Sequence, residues 1–246
     1  MALEDYKTAL VTGASSGIGA AVVRALGARG LTVHAAARRG ERLEALAEET
    51  GCVPVVLDLR DTGSLYQALG AIEVDVLINN AGLGRGFDAL FTVRPEDISA
   101  TLETNVLAAV HVVRATLPGM VERKRGHIVN IGSIAGLYPI KSSLYGASKG
   151  AVHLLSQNLR VELQGSGVRV TEICPGRVET EFFEIALGEE AAKKAYEGFE
   201  VLVPDDVADA ILYALDAPWR VNIGCIELTP TEQYVGGVTI APVDKR

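Results

Sequence analysis

The chain has 246 residues, 48% hydrophobic and 22% charged, with a net charge of −8, a balance that suits a buried core and disfavours a nucleic-acid or anionic-membrane surface. Three cysteines without a C-x-x-C pair and four scattered histidines suggest neither a zinc site nor a disulfide framework, so no metal is expected. No apolar stretch approaches the roughly 20 residues that span a bilayer, and the charged opening segment predicts no export signal and hence a soluble, reduced, cytoplasmic protein.

The first apolar run, 9–11, reads as a strand, and the turn T-G-A-S-S-G-I-G at 12–19 separates it from helical spacing at 20–29. Gly13, Gly17 and Gly19 form G-x-x-x-G-x-G, which departs from the dinucleotide fingerprint G-x-G-x-x-G. The physical task can be the same, since glycines allow close backbone approach and the following helix aims its first N–H groups at a pyrophosphate.

A second strand, 31–37, runs into Arg38-Arg39, with no acid until Glu41. An NAD site usually places a carboxylate about 20 residues past the glycines, on the ribose 2′-OH. A carboxylate would repel a 2′-phosphate, whereas a guanidinium matches one, so this stretch predicts NADP(H). Arg38 is the expected first ligand and Arg39 its neighbour; alternatively both merely coat the helix predicted at 42–49. The third strand, 53–57, ends at Asp58-Leu59, where the carboxylate either accepts from an adenine amino group or caps the next segment.

Strands at 74–78, 127–131, 168–173 and 222–228 follow, with helical patterns at 98–117, 147–163 and 206–215 between them. Such alternation predicts a single α/β domain over 1–246, a Rossmann-like, doubly wound, parallel seven-stranded sheet flanked by helices. Ligands of open α/β sheets lie beyond the carboxyl ends of the strands. The irregular insertion at 178–203, with an acidic helix at 189–197, is therefore placed as a substrate lid.

Tyr145 and Lys149 stand four apart on one predicted helix face. Free tyrosine titrates near about 10, and a nearby ammonium is expected to lower that value. Tyr145 could then give a proton to a carbonyl oxygen or take one from an alcohol. Ser133, past the strand at 127–131, would polarise the same oxygen, and Asn105 could anchor a water in a relay to Lys149. Together with the glycine turn, these residues point to hydride chemistry on a small carbonyl or alcohol.

The elements T-G-A-S-S-G-I-G at 12–19, N-N-A-G at 79–82, Asn105, Ser133, Y-G-A-S-K at 145–149 and P-G-R-V-E-T at 175–180 resemble the short-chain dehydrogenase/reductase family across essentially the whole chain. The resemblance implies Asn105, Ser133, Tyr145 and Lys149 as a catalytic tetrad, with Lys149 also on the nicotinamide ribose. It implies cofactor contacts from Gly13, Ser15, Ser16, Gly17, Ile18 and Gly19 in the turn, and from Arg38, Arg39, Asp58 and Leu59. Asn80, Ala81 and Gly82 would line the adenosine ribose, while Pro175, Gly176, Val178 and Thr180 would meet the carboxamide and phosphate side. A homotetramer, or a homodimer, is implied too.

The stretches V-P-D-D-V-A-D-A-I at 203–211 and N-I-G-C-I-E-L-T-P-T-E-Q at 222–233 resemble the branch of NADP-dependent 3-hydroxy acid (L-allo-threonine/serine) dehydrogenases and small-aldehyde reductases. Arg177 departs from that branch, where a less polar residue is expected before Val178. It either pairs with an anionic substrate group or with Glu179 or Glu181, and Lys141 is a second cation at the expected mouth of the site. Phe182, Phe183, Tyr196 and Phe199 form either the lid or a satellite core. Non-catalytic NADP-sensing or scaffold proteins are the alternative class; they commonly lose the tyrosine or lysine retained here.

Overall fold

Seven parallel strands in the order β3-β2-β1-β4-β5-β6-β7 form the sheet of the computed structural model, which describes residues 2–234. The strands are β1 Thr8–Thr12, β2 Thr32–Ala37, β3 Val53–Val56, β4 Val76–Asn79, β5 Gly126–Ile131, β6 Val168–Pro175 and β7 Cys225–Leu228. All seven expected strands are present, their ends shifted by one to three residues. The last C-terminal residues of the domain expected over 1–246 lie outside the described residues.

The central strands are buried on both faces, which is why they read as unbroken apolar runs. Along β1, Ala9 and Val11 face one core while Leu10 faces the other, and all three are fully buried. The first core is covered by α1 (Gly17–Ala28), α2 (Gly40–Thr50) and α10 (Pro204–Asp216). The second lies under α3 (Thr62–Leu69), α5 (Ala108–Glu122) and α7 (Ser143–Glu162).

The helix expected over 98–117 is a composite: α4 (Pro95–Leu102), a π turn at Glu103–Leu107, then α5. The chain also continues helically through Pro118 to Glu122. Met120, fully buried beneath Gly126, anchors that last turn and offsets the missing proline N–H. Two helices, α3 and α8 (Phe182–Leu187), appear where none was expected, and a short α6 (Ile134–Leu137) precedes α7.

Chain order reverses between β1 and β4, opening a crevice at their carboxyl ends. The insertion at 178–203 lies over that crevice. It holds α8 and α9 (Glu189–Tyr196), and its neck is closed by a parallel bridge between Val178 and Leu202. Below the crevice, Asn79 donates to Asn130 (3.1 Å) and Asn130 to Ser156 (2.9 Å), tying β4, β5 and α7 together.

Candidate active site

The crevice is a cleft of about 530 Å³, within the size range of small-molecule sites. Of the expected site residues, all but Gly19 and Asn105 line it. Those two lie directly behind its wall, whereas Lys141 is exposed on the surface and is not among the lining residues.

The phosphate end is built by backbone geometry. Gly13 adopts φ +66, a region that favours glycine, and a side chain there would strike Ala81. Gly19, in the first turn of α1, packs on the Gly13 carbonyl so closely that no Cβ fits. Asn80 donates to the Thr12 carbonyl (2.9 Å), and the N–H groups of Asn80 and Ala81 both donate to the Thr12 hydroxyl (3.0 Å each). These bonds hold the turns after β1 and β4 together. Ser16 is the N-cap of α1 but makes no side-chain cap, so the first N–H groups of that helix stay directed at the cleft.

Cations gather beside that turn. Arg39 donates to the Ser15 hydroxyl (3.0 Å), the Ser16 hydroxyl (2.6 Å) and the Glu181 carboxylate (2.9 Å). Arg42 reaches the other oxygen of Glu181 at 2.6 Å, and Arg38 lines the cleft nearby. Arg39 and Arg42 thus hold a carboxylate of the 178–203 insertion beside the cleft, at the start of α2. Sequence reasoning missed this role of Glu181 and Arg42, because the pair is about 140 residues apart (139 positions) and only the lid's return brings it together.

Asp58 follows the capping alternative. Its carboxylate accepts from the Arg60 N–H (3.0 Å) and guanidinium (2.7 Å), which pull its pKa down to about 2. It lines the cleft with that charge neutralised.

The reaction end lies where β5, α6 and α7 meet. Ser133 follows β5, caps α6 by accepting from the Ala135 N–H (3.1 Å), and is nearly buried. Tyr145 enters from the first turn of α7, and Lys149 lies one turn later, with its Nζ donating to the Ile131 carbonyl (2.9 Å). The expectation that the ammonium lowers the phenol is corrected here. Burial pushes Tyr145 up to about 12, with the Ser133 hydroxyl opposing, and burial lowers Lys149 to about 8. The amine lies 6.0 Å from the tyrosine ring centre and is turned to a backbone carbonyl, so desolvation dominates both groups.

Asn105 is held by the loop after β4 and by α7. Its side-chain oxygen accepts from the Leu83 N–H (2.7 Å), and its nitrogen donates to the Leu83 carbonyl (2.9 Å) and the Ser148 hydroxyl (3.1 Å). Ser148 in turn donates to the Tyr145 carbonyl (2.8 Å). The amide thus clamps the loop after β4 to the helix carrying Tyr145, with one acceptor position of its oxygen still open to a water.

Aromatic residues close the cleft. Phe87 lies 5.0 Å from Tyr145 and Phe182 5.5 Å from it, ring centre to ring centre, and Phe183 continues the cluster to Tyr196. These rings of the 178–203 insertion pack as one cluster with Tyr145 and Phe87. The Tyr196 hydroxyl lies within hydrogen-bond reach of the Val178 and Thr180 carbonyls, which ties α9 to the start of the insertion. Arg177 lines the cleft with its guanidinium over Phe183 (5.6 Å) and Phe199 (5.4 Å), while Glu181 is engaged by Arg39 and Arg42 instead. Phe87 was not foreseen: it lies in a loop, where no periodicity marks an inward-facing residue.

Proteins of known sequence and structure are similar to this chain over most of its length. The short chain dehydrogenase family matches residues 7–193. An uncharacterised short-chain type dehydrogenase/reductase of Sinorhizobium fredii is 43% identical over 245 residues, 99% of each chain. The NADP-dependent 3-hydroxy acid dehydrogenase of Escherichia coli K12 is 39% identical, over 94% of this chain and 98% of its own. Among solved structures, the closed form of a serine dehydrogenase complexed with NADP+ superposes with a TM-score of 0.90 at 38% identity, covering 97% of this chain and 100% of the other. Matched by the family over residues 7–193 and by relatives over nearly its whole length, this chain belongs to the short-chain dehydrogenase/reductase family.

Proposed function

We propose that the chain is an NADP(H)-dependent oxidoreductase that interconverts a small hydroxy compound and its aldehyde or ketone. The observation that carries this reading is the convergence of Ser133, Tyr145 and Lys149 on one wall of the cleft whose far end is the Arg38–Arg39–Arg42 pocket. NADP dependence is also the property named for the similar Escherichia coli enzyme.

The residues present fit the cofactor. The N–H groups at the start of α1 and the turn backbone would hold its pyrophosphate, and Arg38 and Arg39 its 2′-phosphate. Gly82, Pro175, Gly176, Val178 and Thr180 would line the ribose and nicotinamide end. When bound, the cofactor supplies or accepts the hydride. Tyr145, kept neutral by burial, would give its proton to the substrate oxygen in reduction and be left as the phenolate, and that phenolate form would take the alcohol proton in oxidation. Ser133 holds that oxygen, and Lys149 supports the phenol side of the wall.

The substrate class is a 3-hydroxy acid or a small anionic aldehyde. Arg177 faces the cleft between aromatic rings, where its desolvated guanidinium would attract a carboxylate or sulfonate. The insertion at 178–203 acts as the substrate lid. Exposed Leu107 and Val110 around the start of α5, with Leu154 and Val161 on α7, offer an apolar outer face consistent with a homotetramer or homodimer. A cytoplasmic setting agrees with three free cysteines, and no helix among the described residues is long and apolar enough to cross a membrane.

The test is cofactor oxidation with NADPH against a panel of acidic and neutral aldehydes and ketones, with Tyr145→Phe as control. Turnover of acidic substrates, lost in the variant and weakened through KM in Arg177→Ala, is expected. Preference for NADH, or turnover unchanged in Tyr145→Phe, would overturn the reading.

A further inference from the structure

Behind the catalytic lysine, the fold gathers four donors that the sequence keeps apart. His153 lies on α7 one turn beyond Lys149, Glu172 and Cys174 face α7 from β6, and Cys225 opens β7 in register with Glu172. His153 Nδ1, a Glu172 carboxylate oxygen and Cys174 Sγ lie within 4.8 Å of one another, while Cys225 Sγ, 3.7 Å from Cys174 Sγ, stands outside that close group and would move in as the fourth ligand. We propose that His153, Glu172, Cys174 and Cys225 form a binding site for a thiophilic divalent cation, zinc first.

Three observations carry this. With zinc–sulfur bonds of about 2.3 Å, two thiolates on a tetrahedral ion stand about 3.8 Å apart, close to the spacing found. Glu172 is only 1% exposed, and one of its oxygens meets His153 Nδ1 at 2.6 Å while the other, Oε1, is buried without a hydrogen-bond partner. A buried carboxylate in that state is costly unless a cation compensates it. The position is also built for the carboxylate: a side chain at Gly132 would collide with Oε1. The nearby Lys149 amine is held by the Ile131 carbonyl.

The donor chemistry selects the ion. Two sulfurs and an imidazole favour zinc or cobalt over magnesium or calcium, and once Cys225 joins the clustered three the site would have no open position, as in structural sites. Binding replaces the S–H bonds of Cys174 and Cys225 with metal–sulfur bonds and releases those two protons, while the hydrogen between His153 Nδ1 and Glu172 moves to Nε2, with no change of oxidation state. The ion would tie α7 to β6 and β7, the elements that position Lys149 and Pro175–Gly176. Exposed Cys225 provides the route of entry. Spacing rules could not reveal this set, because its members come from one helix and two strands.

The test is cobalt titration of the full, reduced, chelator-treated protein. Expected are thiolate-to-cobalt charge-transfer absorption and tetrahedral d–d bands that saturate at one ion per chain, are displaced by zinc, and are lost in Cys174→Ser. Cys225→Ser, at an exposed edge, keeps the fold and should lose the same absorption, while zinc raises the Tm of the parent and not of this variant. Absence of the charge-transfer band in the reduced parent, or an undiminished band in the double cysteine variant, overturns the proposal. So does rapid loss of both thiols to a disulfide with peroxide in protein that binds no cobalt when reduced.

Discussion

Burial sets the protonation of the two residues at the reaction end, and it does so in opposite senses. Lys149 falls from its ordinary value to about 8, so between pH 8 and about 10.5 the unfolded chain binds a proton that the folded chain does not. Its contribution is destabilising below pH 8 and is relieved as pH rises through that window. Tyr145 rises to about 12, so between about 10 and 12 the folded state holds the extra proton and stability falls as pH climbs. Lys149→Met should therefore stabilise the protein at pH 7, by about 1–2 kcal/mol after loss of the Ile131 bond, and flatten the rise above pH 8. Urea unfolding across pH 7–10 would check this; a variant less stable than its parent at pH 7 would show that the amine is not a desolvated liability. Turnover in the same variant should fall sharply, separating the catalytic value of the lysine from its cost to the fold.

At the scale of elements, the π turn at Glu103–Leu107 is the clearest case of local irregularity placed where it is needed. It brings Asn105, 2% exposed, against both backbone groups of Leu83 and against Ser148. Asn105→Ala leaves those buried partners unpaired, so it should cost about 2–4 kcal/mol of stability and lower kcat more than it raises KM. Unfolding midpoints and steady-state kinetics would show this, and an unchanged kcat would make the clamp structural alone. That turn was not legible in the sequence, since apolar residues keep helical spacing straight through it. The strands were legible because burial on both faces leaves runs such as Ala9-Leu10-Val11 with no polar break. The glycine turn, Ser133, Tyr145 and Lys149 were legible because each chemistry demands a fixed residue at a fixed spacing. Phe87, Glu181 and the His153–Glu172–Cys174–Cys225 group were not, because only the tertiary fold gives them neighbours. The direction of the Tyr145 shift was misread for the same reason: proximity in sequence says nothing of burial, which outweighs the lysine.

On the scale of the whole molecule, one carboxylate joins the 178–203 insertion to the arginines proposed to hold the cofactor. Glu181 stands just before α8, yet it binds Arg39 and Arg42 at the opposite rim of the cleft. The side chains are roughly 40% exposed (38–47%), so each ion pair contributes only about 0.2–1 kcal/mol and is weakened by salt. Such a contact is too weak to hold the fold, but it acts on the groups assigned to the 2′-phosphate. A phosphate and the Glu181 carboxylate would then compete for the same guanidinium donors. Glu181→Gln should tighten NADPH by up to about 5-fold, the equivalent of about 1 kcal/mol, with little effect on NADH and with the gain shrinking at high salt. Fluorescence titrations of both cofactors at low and high ionic strength would measure it. Weaker NADPH binding with faster release would instead make Glu181 a clamp that closes over the bound cofactor, with the arginines serving the lid and the phosphate together.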